Sequence, residues 1–371
     1  MSKWVAIWGS APSYTAAVPA RYAKDVTLRY NMRSLLGGGK MRLHLNNLYG
    51  REAAVITRVF LVHGDAAVPV TFGGETACSL PAGAQVMSDE IDFPIARGED
   101  FAVTMYLGDM TPLHTGTKHY GPLSSFAFAE GDHAAEAALP PEHSAPTETV
   151  YFLDTVDLLT EDGQAHALVC FGDSITAQSW PDYLALRVLR EGPEHLAVVR
   201  RGIGGSRVLR AYGYMQHRHY GSRGIERFER ELSAAGVDSV VILHGINDLI
   251  HPGTNDLRPW SELPTAEELI DGLRFYVRKG HEMGLRVYPA TIPTLKGWNI
   301  YVPKRDEIRH AVNEWIRAQS EADGFVDFDA ITRSADDPDS RDPECDVGDH
   351  IHPSLEGARR MAEGVPAQYL K

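Results

Sequence analysis

The chain has 371 residues, of which 43% are hydrophobic and 23% are charged, as is typical of soluble globular proteins. This length is enough for two domains that each bury their own core. The formal net charge of −14 argues against nucleic acid as a partner, because phosphate backbones are bound by basic patches. Since no stretch of about 18 apolar residues occurs, we also expect no membrane-spanning helix and no membrane partner.

The N-terminus and the cysteines predict a cytoplasmic protein. Residues 1–4 lack the charged region and the following apolar region of a signal peptide. Cys78, Cys170 and Cys345 are far apart, show no CxxC spacing and cannot all pair with one another. A chain trimmed of its signal peptide would show the same pattern.

The first half of the chain has the pattern of an all-β structure. Apolar and polar residues alternate in the runs 41–46 and 101–107, as expected for strands with one buried face. Glycine and proline turns, such as those at 37–39 and 81–83, separate such runs. Several short strands at this spacing predict an all-β sandwich domain over residues 1–160. Near its end, the stretch 131–146 is predicted to be a loop or linker close to the domain boundary.

The second half, residues 161–371, alternates between short apolar strands and helical patterns. An apolar stripe with helical spacing runs through 308–316, and Thr265 with Glu268 has the pattern of a helix capping box. This alternation predicts a three-layer α/β/α domain with a parallel sheet, whose ligands would bind at the carboxyl ends of the strands. The strand candidates are residues 167–171, 197–199, 239–243, 285–290 and 325–328.

Small polar clusters follow three of these strands, and a fourth cluster precedes the last helix. A serine hydroxyl becomes a good nucleophile only when a base takes its proton, and the base needs a partner that holds its tautomer. Ser174 is the candidate nucleophile and His352 the candidate base. Asp349, three residues before His352, is the candidate for orienting the imidazole. The four clusters are residues 171–174, 203–206, 244–248 and 349–353.

The same clusters offer donors for an oxyanion hole. The charge that develops on a substrate carbonyl oxygen needs fixed hydrogen-bond donors, each worth on the order of 3 kcal/mol in the barrier. We predict that the backbone N–H groups of Ser174 and Gly205 and the side-chain amide of Asn247 supply them. Glycine is expected at position 205 because a side chain would obstruct the approach of the acyl oxygen. Asp173 and Asp248 are predicted to make structural hydrogen bonds that hold their loops.

These clusters resemble the motifs of the GDSL, or SGNH, esterases and lipases. The family places its nucleophile in Gly-Asp-Ser, matched at 172–174, and an oxyanion-hole glycine in its second block, matched by Gly205. It places an oxyanion-hole asparagine in Gly-x-Asn-Asp, matched at 245–248, and ends with Asp-x-x-His-Pro, matched at 349–353. The resemblance covers about residues 165–371. It implies a five-stranded parallel sheet of order 2-1-3-4-5 and a mechanism that requires no cofactor and no metal.

One residue departs from the family pattern, and the first half carries a second, looser resemblance. Arg200 stands where the second block of the family often opens with asparagine, so we expect the local loop geometry to differ. Residues 27–29 and 42–50 are similar to the β-sandwich that precedes the hydrolase domain in some bacterial carbohydrate-esterase-like members, and such sandwiches are similar to carbohydrate-binding modules. The resemblance favours a small-molecule or carbohydrate ester, first an O-acetyl group on a sugar, as the substrate.

Several alternatives stay open at this point. The same triad could serve an acyltransferase with an acceptor other than water, or the chain could be a carbohydrate-binding protein with a vestigial hydrolase domain. Ser174 could be a helix cap, with Asp349 and His352 as a capping residue and a surface histidine. The sequence does not predict the oligomeric state. A metal site could use Asp346, Asp349, His350 and His352. An acyl or sugar pocket, or merely a self-packed loop, could be built from Tyr212, Tyr214, His217, His219, Tyr220, Trp298 and Tyr301.

Overall fold

The computed structural model describes residues 1–15, 21–213, 215–255 and 257–371, apart from the side chains of residues 215–217. In the described residues up to 160, the regular structure is strand, with one short 3₁₀ turn at Pro141–His143. The strands are β1 (Lys3–Gly9), β2 (Ser13–Tyr14), β3 (Tyr22–Ala23), β4 (Val26–Arg33), β5 (Gly38–Asn46), β6 (Ala54–Ile56), β7 (Arg58–His63), β8 (Ala66–Val70), β9 (Cys78–Leu80), β10 (Gln85–Met87), β11 (Ile91–Ile95), β12 (Asp100–Leu107), β13 (Thr111–Pro112), β14 (Thr115–Lys118), β15 (Ser125–Glu130), β16 (Ser144–Thr147), β17 (Thr149–Tyr151) and β18 (Leu153–Thr160).

Two antiparallel sheets dominate this first half. One has the order β1-β18-β5-β10, with β11 also pairing with β5, and the other has the order β16-β15-β4-β12-β7-β8. Alternate residues of β5 are buried, as the sequence pattern predicts, and they share one hydrophobic core with the buried residues of β12. The first half is therefore all-β, as predicted, because each of the two sheets buries its apolar face in that core.

The stretch 131–146 covers the second sheet and does not link the two halves. Its last residues belong to β16, which pairs with β15 at the sheet edge. The Arg29 guanidinium, on β4, donates to the carbonyl oxygens of Glu136 and Ala137 at 2.9 and 2.6 Å. Of the two predicted alternatives, the loop is confirmed for residues 131–140, whereas the linker is not, because polar groups on the outer face of the sheet fix the segment in place.

The second half alternates strands with helices. The predicted capping box is present, since the Thr265 side chain accepts from the Glu268 amide and the Glu268 side chain bonds back to the Thr265 amide. Short 3₁₀ turns lie at Met215–Tyr220, Trp260–Glu262, Pro343–Cys345 and Ala367–Leu370. The main elements are β19 (His166–Gly172), α1 (Ser174–Ala177), α2 (Trp180–Glu191), β20 (Leu196–Gly202), α3 (Gly224–Leu232), β21 (Val237–Leu243), α4 (Ile246–Ile250), α5 (Ala266–Glu282), β22 (Arg286–Pro289), α6 (Pro303–Ala318), α7 (Phe328–Thr332) and α8 (Leu355–Gly364).

The parallel sheet has four strands within the described residues, in the order β20-β19-β21-β22. This is the 2-1-3-4 part of the predicted order. The predicted fifth strand, 325–328, forms only a single parallel bridge between Ala290 and Val326. The Asp327 side chain accepts from the Ala330 amide and caps α7, so the chain turns into a helix before the pairing can extend. The expectation of five strands is therefore not confirmed, and the single bridge at Val326 is what the described residues show of the fifth.

The two halves of the chain are in close contact. The predicted division at residue 160 stays a prediction, and it falls between the end of β18 and the start of β19. Strand β1 packs along β20, and the Ala6 amide donates to the Ala235 carbonyl at 2.8 Å. Arg201, on β20 and only 2% exposed, donates to Asp154 Oδ1 and Thr155 Oγ1, both at 2.6 Å. Buried polar contacts therefore fix the first half against the parallel sheet.

Replacing Arg201 should destabilise the protein strongly. Arg201→Met is expected to lower the free energy of unfolding by about 3–5 kcal/mol, because it leaves the largely buried Asp154 carboxylate, 13% exposed, without its cationic partner and with the neutral Gln85 side chain as a remaining donor. Urea denaturation measures the change. The matched control is Arg33→Met, which breaks an exposed pair with Asp100 whose side chains are 38% and 67% exposed, and it should cost less than about 1 kcal/mol. Equal losses for the two variants would contradict the interface role of Arg201.

The helices and cysteines bear on two further expectations. None of the helices in the described part of the chain is long and apolar enough to cross a membrane. Cys78, Cys170 and Cys345 are buried free thiols, and burial raises the pKa of Cys78 to about 12. They therefore behave as small apolar core groups. The cytoplasmic location stays a prediction.

Candidate functional site

Ser174 lies directly after the central strand β19, at the first position of α1. Asp173 caps this helix, since its side chain accepts from the Ile175 amide at 3.0 Å. The capping role considered for Ser174 is thus taken by its neighbour. Gly172 permits the close turn, because a Cβ at this position would lie 2.1 Å from the carbonyl oxygen of Leu243. The Ser174 hydroxyl is consequently not needed to end the strand or to begin the helix.

The structure brings Ser174, His352 and Asp349 together in one line. The Nε2 atom of His352 lies 2.8 Å from Ser174 Oγ, and its Nδ1 atom lies 2.6 Å from Asp349 Oδ2. Helix α8 has its own cap in Ser354, whose hydroxyl accepts from the Gly357 amide, so neither Asp349 nor His352 serves as that cap. Both ring nitrogens of His352 are occupied by these two partners.

The charge state of Asp349 fixes the tautomer of His352. Partial burial raises the pKa of Asp349, but hydrogen bonds from the His352 side chain and from the amides of His352 and Ile351 outweigh it and bring the pKa below its usual value. The carboxylate is therefore ionised at neutral pH and accepts the Nδ1–H of His352. The Nε2 atom of a neutral imidazole is then free to accept the proton of the Ser174 hydroxyl.

Gly205 lies in a turn that only glycine can form here. Its φ is +77°, and a Cβ at this position would lie 2.0 Å from the Cδ1 atom of Tyr220. The sequence predicts glycine here because a side chain would obstruct the approach of the acyl oxygen. In the structure, the left-handed backbone and the ring of Tyr220 require it.

Asn247 is buried at the start of α4, and its amide is partly used. Its Nδ2 donates to the carbonyl oxygen of Ser206 at 3.0 Å, which leaves its second amide hydrogen for another acceptor. His244 Nε2 lies 3.1 Å from the same oxygen. Burial lowers the pKa of His244 well below its usual value, so the ring is neutral. Because a carbonyl can only accept, Nε2 carries the hydrogen, and Nδ1 accepts from the Tyr276 hydroxyl at 2.9 Å.

The two motif aspartates hold their loops, as predicted. Asp248 accepts from the amides of Val208 and Leu209 at 2.8 and 3.1 Å and so joins α4 to the loop that contains Gly205. Asp173 accepts from the Ile175 amide, as described above. Burial raises the pKa of Asp173 to about 7 and that of Asp248 to about 6. Both side chains are therefore buried groups that hold the backbone of their loops in place.

Arg227, on α3, belongs to the site, although the sequence reasoning missed it. Its guanidinium is fully buried, lies over the ring of Phe171 and donates to the carbonyl oxygen of Gly172 at 2.6 Å. It also pairs with Glu231, four residues later. In a sequence, an Arg–Glu pair at this spacing has the pattern of a solvent-exposed helix pair, so nothing local distinguishes this buried one. Arg227 holds the end of β19, one residue before the Asp173–Ser174 turn.

Arg200, the departure from the family pattern, joins α1 to the first half of the chain. Its Nη1 donates to the carbonyl oxygens of Ala177, at the end of α1, and Tyr120, at 2.9 and 2.6 Å. It also forms a buried ion pair with Asp182 of α2. The residue thus supports the short helix that carries Ser174.

The predicted aromatic cluster is partly packed on itself and partly borders the site. The ring of Tyr220 lies 4.9 Å from that of Tyr212 and 5.4 Å from that of His251, in addition to its contact with Gly205. Tyr214 and the side chain of His217 lie outside the described residues. Trp298 and Tyr301 contact α6, through Arg305 and Asp306 respectively. They therefore pack against that helix.

The four residues proposed for a metal site have other contacts. His350 and Asp346 pair with each other at 2.8 Å, while His352 and Asp349 take part in the line to Ser174. In the part of the chain that the structure describes, the ligand atoms that converge closely enough for a metal ion are those of Asp306, His310 and Asp339. Asp306 already pairs with the buried Arg309, which argues against a cation there.

Solved structures similar to this chain include several ester hydrolases. A GDSL-like lipase from Bacteroides thetaiotaomicron is 19% identical, with a TM-score of 0.37, over 55% of this chain and 87% of its own. A carbohydrate acetylesterase from Sinorhizobium meliloti is 16% identical, with a TM-score of 0.40, over 55% and 97%. An acetylxylan esterase from Geobacillus stearothermophilus is 21% identical, with a TM-score of 0.40, over 54% and 91%. No curated protein matches the chain.

The family assignment rests on a direct match to a protein family. Residues 170–360 match the GDSL-like lipase/acylhydrolase family. The matched region is more than half of the chain and includes Ser174, Gly205, Asn247, Asp349 and His352. The chain therefore belongs to the GDSL-like lipase/acylhydrolase family and is a carboxylic ester hydrolase.

Proposed function

We propose that this protein hydrolyses short-chain esters through a triad of Ser174, His352 and Asp349. The observation that carries the proposal is the continuous line of contacts from Ser174 Oγ to His352, at 2.8 Å, and from His352 to Asp349, at 2.6 Å. A nucleophile, a base and an orienting carboxylate in this arrangement are the requirements for acyl transfer by a serine hydroxyl.

The reaction proceeds in two steps. Ser174 Oγ attacks the ester carbonyl carbon while His352 Nε2 takes the hydroxyl proton. The oxyanion is held by the N–H groups of Ser174 and Gly205 and by the free amide hydrogen of Asn247. The tetrahedral intermediate collapses, and the leaving alcohol takes the proton from His352. A water molecule, deprotonated by His352, then attacks the acyl-enzyme, releases the acid and restores Ser174.

The proposed acyl group is acetyl, and the proposed alcohol part is a carbohydrate. The ring of Tyr220 lies against Gly205 and limits the room beside this oxyanion donor, which favours a small acyl group. The carbohydrate part rests on the similarity of the first half of the sequence to the sandwiches of carbohydrate-esterase-like proteins.

The three loops that carry the donors are tied together through Ser206, Asp248 and Arg227, so the site needs little rearrangement to act.

Chain-length preference tests the acyl part of this proposal. With p-nitrophenyl acetate, butyrate and octanoate, kcat/KM for acetate should exceed that for octanoate by at least about tenfold, because the longer chain has to displace the ring of Tyr220. A preference for octanoate would contradict the acetyl assignment. If p-nitrophenol is released only when an alcohol acceptor is added, and the acyl group is recovered on that alcohol instead of as the free acid, acyl transfer replaces hydrolysis as its function.

A further inference from the structure

A cavity of about 400 Å³ opens between the two halves of the chain. Its second-half wall includes Gly204 and His219, whereas most of its lining comes from the first half. The first-half wall of the cavity is a three-stranded sheet in which β14 lies between β17 and β2. We name the space the β14 cavity. Its first-half lining includes Ser13, Tyr14, Thr117, Lys118, Thr149 and Tyr151.

The β14 cavity adjoins the proposed nucleophile. Gly204 precedes the proposed oxyanion donor Gly205, and a Cβ at position 204 would lie 3.8 Å from the Cβ of Ser174. On the other side of the loop, a Cβ at Gly221 would lie 4.0 Å from the Cβ of Ser13, on β2. The connection between β20 and α3 therefore approaches Ser174 at Gly204 and the first-half wall at Gly221. Gly204 also lines the cavity, so it marks the point where an ester bound at Ser174 would enter it.

The lining has the chemistry of a site for a polyhydroxylated group. The two threonines offer hydroxyl groups, and the Ser13 hydroxyl, which donates to the Gly116 carbonyl at 3.0 Å, can still accept. Tyr151 combines an apolar ring with a phenolic oxygen, which suits the C–H faces and hydroxyls of a sugar ring. The ring of Tyr14 is already stacked on His114 at 6.0 Å and serves as a fixed part of the wall. Lys118 and Glu148 form an ion pair of 3.4 Å at the rim, and such a pair can donate to and accept from hydroxyl groups. A fatty acyl chain would instead need a lining of aliphatic side chains.

We propose that the β14 cavity binds the sugar unit that carries the ester, so that the first half of the chain selects the alcohol part of the substrate. The inference rests on the proposed esterase function and deepens it. The first half then forms part of the substrate site, and its buried contacts through Arg200 and Arg201 hold that wall in register with Ser174.

The test fills the cavity with a large side chain and compares the cleavage of an acetylated sugar with that of p-nitrophenyl acetate. Thr149, on β17, lines the cavity, and Thr149→Trp places an indole in it. The ratio of kcat/KM for O-acetylated methyl glycosides of glucose and xylose to that for p-nitrophenyl acetate should fall at least tenfold. The matched control is Thr76→Trp, at an exposed position outside the cavity, which should leave the ratio unchanged. Thr149→Val, which removes only the hydroxyl, should lower the ratio by a smaller factor.

A binding measurement separates the two proposals. Saturation-transfer NMR with the deacetylated methyl glycosides should detect binding to Ser174→Ala and its loss in Ser174→Ala/Thr149→Trp. Binding that is lost with Thr149→Trp, in a protein that cleaves no ester, would support the cavity and reject the esterase function. Normal cleavage of both ester types with an unchanged ratio in Thr149→Trp would overturn the cavity assignment. The cavity assignment would also be overturned if Ser174→Ala bound no glycoside, or if Thr149→Trp lost only the cleavage of octanoate.

Discussion

Ser174→Ala is expected to lower kcat for p-nitrophenyl acetate by about 10⁴-fold or more while leaving the fold intact. The substitution removes the atom that would form the acyl-enzyme, and only the oxyanion donors and substrate binding would remain. The helix that carries Ser174 is capped by the Asp173 side chain, so its start does not depend on the serine hydroxyl. Initial rates and the thermal unfolding midpoint, measured on the same preparation, check both parts of this expectation.

A nearby serine provides the control for this experiment. Ser179 precedes α2 and its side chain makes no capping hydrogen bond, so Ser179→Ala should retain the activity of the wild type. His352→Ala should cause a loss similar to that of Ser174→Ala. The double variant should lose little more than either single variant, because groups that act as a unit are not additive. A Ser174→Ala protein that keeps a tenth of the wild-type rate would rule out the proposed mechanism.

The proposed site could be assembled from the sequence because its residues occupy positions that local patterns define. Ser174, Gly205 and Asn247 each follow a predicted strand of the parallel sheet, and the carboxyl ends of such strands meet at one edge. Asp349 and His352 are three residues apart, so a single loop brings them together. Strand periodicity and the order of the motifs are therefore enough to predict that Ser174, His352 and Asp349 approach one another. The oxyanion donors stay a prediction.

Features that depend on contacts distant in sequence could not be predicted in this way. The periodicity of 325–328 indicates a strand, but the cap provided by Asp327 starts a helix and leaves a single bridge. The stretch 131–146 has no clear period, although the Arg29 side chain fixes part of it against the sheet. Arg201 was not singled out, yet it crosses between the halves to Asp154. The outcomes at Arg29 and Arg201 are decided by partners far along the chain, which no local pattern encodes. The Asp327 cap is different, because it acts on the Ala330 amide only three residues away, and the strand periodicity of 325–328 hid this local signal.

The β14 cavity shows the same limit on a larger scale. Ser13, Thr117 and Thr149 lie on three short strands far apart in the sequence, and none has a motif around it. They become neighbours of Gly204 only because β1 packs along β20 and brings the first half against the loops of the second. Motifs in the sequence thus indicate the reaction, whereas the packing of the two halves indicates which substrate the protein would accept.

Gly205→Ala is the second variant with a large expected effect. A Cβ at this position would lie 2.0 Å from the ring of Tyr220, and the residue would keep a φ of +77° that L-residues adopt at a cost of about 1–2 kcal/mol. The Tyr220 ring packs against Tyr212 and His251, so the contact should be relieved mainly by a shift of the loop, which moves the N–H group proposed to hold the oxyanion. Since one such donor is worth about 10²–10³ in rate, kcat for p-nitrophenyl acetate should fall by at least that factor. The free energy of unfolding, measured in urea, should fall by about 1–3 kcal/mol.

Two companion variants assign the cause of the Gly205→Ala effect. Gly213→Ala changes a glycine of the same loop whose Cβ would have no neighbour within 4 Å among the described residues, so it should leave kcat unchanged. Gly205→Ala/Tyr220→Ala removes the ring but retains the backbone strain. If this double variant regains at least tenfold in kcat over Gly205→Ala, the Tyr220 ring is what displaces the donor. If Gly205→Ala itself keeps kcat within threefold of the wild type, the N–H of residue 205 does not hold the oxyanion. The Ser174 and Asn247 donors would then have to do so without it.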